Sequence, residues 1–258
     1  MSIDIDNVYI EPKVPSIPKR IAAFFIDLVI CLLLFTGIAF VVGEAVGYTT
    51  NYEMLQEKYI DYGVGSIDPE TNEFIFCEVE KEECKQSYEL FFKDEEAMVY
   101  YDKSIELTTL ILTISVFVTY LATEFIVPLF IKERSTIGML LFKIGLVSTD
   151  GTKVEHKQLF IRFLFGKFLL ATMIPIYGMI FSFFSAFGGI FGLIFALIIW
   201  GIDIGLTLFS EKKAGIANSL GSCYAYDIET GMVYDTIEEI NAIKGAVAAK
   251  KANKEKYF

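Results

Sequence analysis

The run from Pro18 to Gly43, PKRIAAFFIDLVICLLLFTGIAFVVG, constrains this chain more than any other stretch. It holds more than 20 nearly continuous apolar residues, which at about 1.5 Å per residue cross a hydrocarbon core of roughly 30 Å. Asp27 lies inside it. A carboxylate in a spanning helix is costly, so it is expected to face protein or water and to have a partner. Arg20 stands two helical turns earlier on the same face, about 10 Å nearer the membrane boundary.

The remaining composition agrees with a membrane protein. Of 258 residues, 54% are hydrophobic and 15% aromatic, and the mean hydropathy is +0.50, high for an ordinary soluble domain. An acidic, Pro-containing tail (1–17) precedes the first run and no A-x-A signal stands before Glu44, so the run is expected to be retained as a first span, 18–43. Three further apolar segments predict spans at 105–131, 160–184 and 187–209. Pro175 predicts a bend in the third. The short FSAFGG turn predicts that the third and fourth form an antiparallel hairpin. GGIFG and GIDIG place glycines four apart on the fourth, a spacing that permits close helix approach.

Charge sets the expected orientation. The segment from Lys132 to Lys167 carries seven bases, and the chain after the fourth span adds Lys212, Lys213 and five more lysines, so these faces are expected to be cytoplasmic. The loop 44–104 carries 16 acids against five lysines and is expected outside, which places both termini in the cytoplasm. Its patterning predicts an acidic outer cap: a helix over NYEMLQEKYIDY, a turn and strand over SIDPETNEFIFCEVE, and a helix over QSYELFFKDEEAMVYYDK. Cys77 and Cys84 fall in this loop. An oxidising exterior would join them, and a reducing or anaerobic one would leave two free thiols.

On the expected inner side, 132–159 reads as an amphipathic helix followed by a hairpin. Ser135 is the expected N-cap, Ile137, Leu140, Leu141 and Ile144 form the apolar stripe, and Asp150-Gly151 makes the hairpin turn. After the fourth span, 210–258, GSCYAYDIETGMVYD repeats the plan around a Glu-Thr-Gly turn, so two hairpins can pair as one small sheet. The tail beyond continues as a helix and ends basic, suited to an anionic lipid face. The fold class is therefore an all-α membrane protein: a four-transmembrane-helix bundle with an outer acidic cap and small inner β-hairpins.

Read by depth, the ionisable residues fall in one slab. Asp27, Glu124 on the second span and Asp203 on the fourth each lie about 10 Å from the inner boundary, while Arg162 and Lys167 enter from the inner end of the third. With Arg20 the slab holds three acids and three bases. The acids are the candidates for binding an ion or proton, and the bases are their charge partners. Pro128 cannot donate to the carbonyl of Glu124, so a freed oxygen is expected beside that carboxylate. Broken helices that present carbonyls with carboxylates can coordinate Na+ or pass H+. The same balanced network can equally serve to fasten four helices together.

These residues carry a resemblance. KRIAAFFIDLVI resembles the opening of the RDD family of integral membrane proteins, with Arg20 at the start of the first helix and Asp27 within it. STIGMLLFKIGLVSTDGTKV is similar to that family's T-x-G-K-x-L-x-G-x-x-V-x-x-x-x-G stretch, which places Gly138, Gly145 and Gly151. IRFLFGKF resembles the helix start that follows, and KKAGIANSLGSCYAY the closing H-D-x-x-x-x-T-x-V block. Met139 stands where the family usually has Lys, and Ala217-Asn218 where it usually has His-Asp, so Asn218 supplies an uncharged amide there. The resemblance implies a multi-pass architecture and, as usually proposed for the family, transport, with cation/proton exchange claimed for some members.

Other chemistry finds no motif. There is no G-x-S-x-G, H-E-x-x-H or P-loop, so no catalytic residues are assigned and no enzyme activity or cofactor is expected. One His and no close Cys-x-x-Cys make a metal site unexpected. A pI near 4.7 argues against nucleic acid. The expected partners are the lipid bilayer of the cell membrane, a small cation (Na+, K+, Li+ or H+) and, because four spans make a thin pathway, a second copy in a homodimer. Two readings follow: a cation, proton or small-solute transporter using intramembrane carboxylates, or a non-transporting protein with an assembly or envelope-support role.

Overall fold

The computed structural model describes residues 12–184 and 190–255. The FSAFGG turn lies almost wholly outside them, as do most of the N-terminal tail and the last residues of the basic tail. Four helices are long and apolar enough to cross a membrane: α1 (Ile17–Ala45), α4 (Glu95–Phe130), the third, which begins at His156, and α7 (Phe191–Phe209). The chain divides into two compact units, 1–33 with 117–258 and 34–116; α1 and α4 each contribute to both.

Unit 34–116 contains α2 (Tyr48–Asp61), the hairpin strands β1 (Gly65–Ile67) and β2 (Phe74–Phe76), α3 (Glu82–Phe91) and the first part of α4. An aromatic core forms where Leu55, Tyr59, Val64, Phe91 and Ala97 meet, with Phe74, Tyr88, Tyr100 and Tyr101 packed against them. Asn51 on α2 donates to Ser104 Oγ at 2.7 Å and to the Tyr100 carbonyl, tying that helix to α4. Cys77 and Cys84 form a disulfide between the end of β2 and the start of α3. The helix expected over QSYELFFKDEEAMVYYDK is two helices. Asp94 breaks it: its carboxylate accepts from the backbone N–H of Ala97 at 2.6 Å and from the Tyr62 hydroxyl at 2.8 Å, which starts a new helix ten residues before the predicted span.

The larger unit adds α5 (Ile137–Leu141), β3 (Ile144–Ser148), α6 (156–184), α8 (Ile216–Leu220), β4 (Cys223–Asp227) and α9 (Ile237–Glu255). The apolar stripe expected to end at Ile144 is cut short. Lys143 takes a left-handed φ of 57°, so α5 stops after Leu141 and Ile144 begins a strand. Thr136, not Ser135, is the N-cap, accepting from the N–H of Met139. β3 and β4 pair antiparallel through five residue pairs centred on Leu146 and Ala225. Every residue of both strands is buried, in a core with Val154, Leu159, Phe125, Ala214 and Val233.

The two halves of this unit repeat at a constant offset of 79 residues. Phe130 and Phe209 end their helices, each 86% exposed. Arg134 and Lys213 both take positive φ, as do Lys143 and Ser222. α5 matches α8 and β3 matches β4 over their full lengths. The central pair of the ribbon, Leu146 with Ala225, is itself an offset pair, so an approximate two-fold axis passes through it. The same offset carries Glu124 onto Asp203.

The two spans with a proline beyond the first turn widen into π-helical turns, at Leu121–Ile126 before Pro128 and Arg162–Met173 before Pro175. Pro175 cannot donate to the carbonyl of Ala171, and the indole N–H of Trp200 on α7 does so instead at 3.0 Å. The fault in α6 is thus repaired from α7.

Candidate functional site

All six charged residues of the slab line one cavity of about 490 Å³ within the larger unit. The two π-helical segments supply Glu124, Arg162, Lys167 and Ala171 to its wall; wider turns occur often at functional positions.

Asp27 takes a partner other than the predicted bases. Its Oδ2 accepts from the Thr136 hydroxyl at 2.5 Å and its Oδ1 from the backbone N–H of Gly138 at 2.7 Å. Among the described residues no Lys or Arg lies within ion-pair distance of it. The expectation of an ion pair to Arg20, Arg162 or Lys167 is corrected: first-turn donors of α5 satisfy the carboxylate where α1 crosses it. Gly138 makes the crossing possible. A Cβ there would collide with the Ala23 carbonyl and stand 2.8 Å from the Asp27 carboxyl carbon.

Glu124 holds two of the three bases. Arg162 donates to its Oε2 at 2.7 Å, and Lys167 Nζ stands 3.8 Å from Oε1. Glu124 and Arg162 are 6% and 3% exposed, so the pair is screened little by solvent. The Arg162 Nε donates to Asn218 Oδ1 at 2.8 Å. A carboxylate at 218 would compete with Glu124 for this guanidinium, whereas the amide adds an acceptor without charge.

Asp203 stands on α7 as Glu124 stands on α4, with different partners. Its Oδ1 accepts from the Ile216 N–H at the start of α8, at 2.6 Å. Gly215 leaves the necessary room, since a Cβ there would lie 2.6 Å from that oxygen. Arg20 donates to the Lys213 carbonyl at 2.9 Å. Among the described residues neither Asp203 nor Arg20 has an ion-pair partner. Cys31 lines the same cavity with its thiol 3.6 Å from the Thr123 hydroxyl.

The other motif glycines are places of close approach. Gly145 lies under the Tyr226 ring, and Gly151 has φ +91° in the turn after β3. Thr136 in the cavity lining, and Trp200, which holds the carbonyl of the lining residue Ala171 from behind, are residues that sequence reasoning missed. Thr136 sits beside another hydroxyl residue with equal capping ability, while Trp200 could have been sought as the donor Pro175 lacks. His156 lies outside the cavity, where its Nε2 accepts from Arg134 at 2.8 Å. Among the described residues no cluster of His, Cys, Asp or Glu could hold a metal ion.

No curated protein and no solved structure matches the chain. The RDD family profile matches residues 14–217, a range that includes Arg20, Asp27, the α5–β3 segment and the start of α8. With four helices long and apolar enough to span a bilayer, the chain belongs to the RDD family of membrane proteins.

Proposed function

We propose that this protein transports a small cation, proton or polar solute across the cell membrane through the charged cavity. The observation that carries this reading is the convergence of all six slab charges on one cavity of about 490 Å³, within the roughly 300–1,000 Å³ of ligand clefts. An ionisable residue at membrane depth that faces a cavity is a functional candidate. Asp27 and Asp203, neither paired with a cation among the described residues, are the carboxylates offered to the transported species. Glu124 is held by Arg162 and Lys167 and serves as the fixed charge that keeps those bases in place. The cavity lies at the basic ends of the spans, so both termini are cytoplasmic and the acidic loop forms an outer cap. The Cys77–Cys84 disulfide suits such a loop, because disulfides persist in oxidising compartments. A Cβ on Gly201 or Gly205 would meet nothing within 4 Å, which leaves the GIDIG face open for a second copy.

The competing assembly role has one observation in its favour, the nearly complete burial of the Glu124–Arg162 pair. Purified protein in proteoliposomes, under imposed pH, Na+ and K+ gradients and with radiolabelled polar solutes, separates the two. Transport predicts gradient-driven flux that falls at least tenfold in Asp27→Asn or Asp203→Asn while the protein still assembles. Wild-type protein without flux of any species tested would leave the assembly role.

A further inference from the structure

The cavity has a distinct rim. Ile17, Ile21, Phe24 and Leu28 of α1 and Ile204 and Leu208 of α7 line it, and all six side chains are exposed. Such a border can hold an apolar chain beside the charged wall, a contact that a small ion in the same cavity does not use. Ile17 is the first residue of α1 and Leu208 the last but one of α7. The border therefore runs inward from the ends of the two helices, from the level where lipid head groups meet acyl chains to the depth of Asp27.

Behind the rim the charges divide into two kinds. Glu124 is engaged by Arg162 and Lys167, and Asp27 by two hydrogen-bond donors. Arg20 spends one N–H on a carbonyl and Asp203 one oxygen on a backbone N–H. One guanidinium and one carboxylate thus keep unspent hydrogen-bonding capacity on the two helices that form the rim. The repeat makes the contrast sharper. Asp203 occupies the place of Glu124, yet the two cations that close the site around Glu124 have no equivalent on Asp203 among the described residues.

We propose that the cavity binds a zwitterionic amphiphile, with its ammonium at Asp203, its phosphate or carboxylate at Arg20, and its apolar chain between α1 and α7. A net-neutral ligand of two signs fits a wall that already balances three acids with three bases. Binding goes beyond the transport reading and is measured without any gradient, so either can fail alone.

The test is native mass spectrometry of the full chain in mild detergent with dioleoyl phosphatidylethanolamine, dioleoyl phosphatidylglycerol or soluble phosphoethanolamine. The zwitterionic lipid should bind at least tenfold more tightly than the anionic lipid, and phosphoethanolamine should not compete with it at equal concentration. Asp203→Asn, which retains the oxygen that accepts from Ile216, and Arg20→Gln should each weaken retention of the zwitterionic lipid about tenfold. Wild-type protein gives a readout without variants: the same lipid should slow alkylation of Cys31, which lines the cavity. Equal binding of the anionic lipid, competition by phosphoethanolamine, unchanged retention in both variants, or unprotected Cys31 would each overturn the proposal.

Discussion

Gly138 is where the first span meets the short helix that follows the second. No other residue fits, because a methyl group would press on the Ala23 carbonyl and the Asp27 carboxylate together. Gly138→Ala should destabilise the protein by about 1–3 kcal/mol, the usual cost of overpacking, as measured by thermal unfolding in detergent. The Glu124–Arg162 pair supports a second prediction. Glu124→Gln leaves the buried Arg162 without its carboxylate, and Arg162→Gln leaves Glu124 with only the more distant, part-exposed Lys167; each should cost about 3–5 kcal/mol, while the double variant should recover much of that loss. A double-mutant cycle on unfolding midpoints checks it. The acids at this site were legible as anomalies in apolar runs. So were Arg162 and Lys167, the bases that Glu124 takes; the partners of Asp27 were not, because Thr136 and Gly138 lie 109 and 111 residues from it, and no local pattern joins residues so far apart.

Helix ends and faults depend on single donors and acceptors. At Asp94 the N–H of Ala97 and then the Tyr62 hydroxyl hold the carboxyl below the usual aspartate range. A depressed carboxylate contributes stability above its unfolded pKa of about 3.9 and loses it as pH falls through its folded value. Asp94→Ala should therefore narrow the gap in unfolding temperature between pH 6 and pH 3, with the loss falling at the pH 6 end. An unchanged gap would remove Asp94 from the account. In α6 the Trp200 donation replaces the bond that Pro175 forfeits. Trp200→Phe keeps most of the packing and should cost about 0.5–1.5 kcal/mol, the usual net worth of one hydrogen bond. At this scale apolar length located the spans well, since it depends on many residues together. The break at Asp94 and the early end of α5 at Lys143 escaped, because each turns on one residue's backbone geometry inside a pattern that otherwise continues.

Across the larger unit, the 79-residue offset explains why acids from different spans share a cavity. A two-fold ribbon, β3 with β4, holds two copies of the same helix–short helix–strand segment, and equivalent positions on α4 and α7 then converge. Only the loose repetition of plan after the fourth span hinted at this. Glu124 and Asp203, Arg134 and Lys213, and Ile137 and Ile216 keep their chemistry across the offset, but Gly138 and Ala217, and Met139 and Asn218, do not. The repeat survives as backbone geometry more than as side chains. If transport runs through the charged cavity between these halves, that cavity should be open to water from the side of the membrane that carries the termini, and this can be measured on the native chain. Cys31 lines the cavity, Cys223 is the other free cysteine and is buried, and Cys77 and Cys84 are bonded. In oriented vesicles a membrane-impermeant maleimide should label Cys31 from the side that carries the termini, and Cys31→Ser should abolish that labelling. Cys31 unlabelled from either side, or labelled only from the side of the acidic loop, would contradict the account.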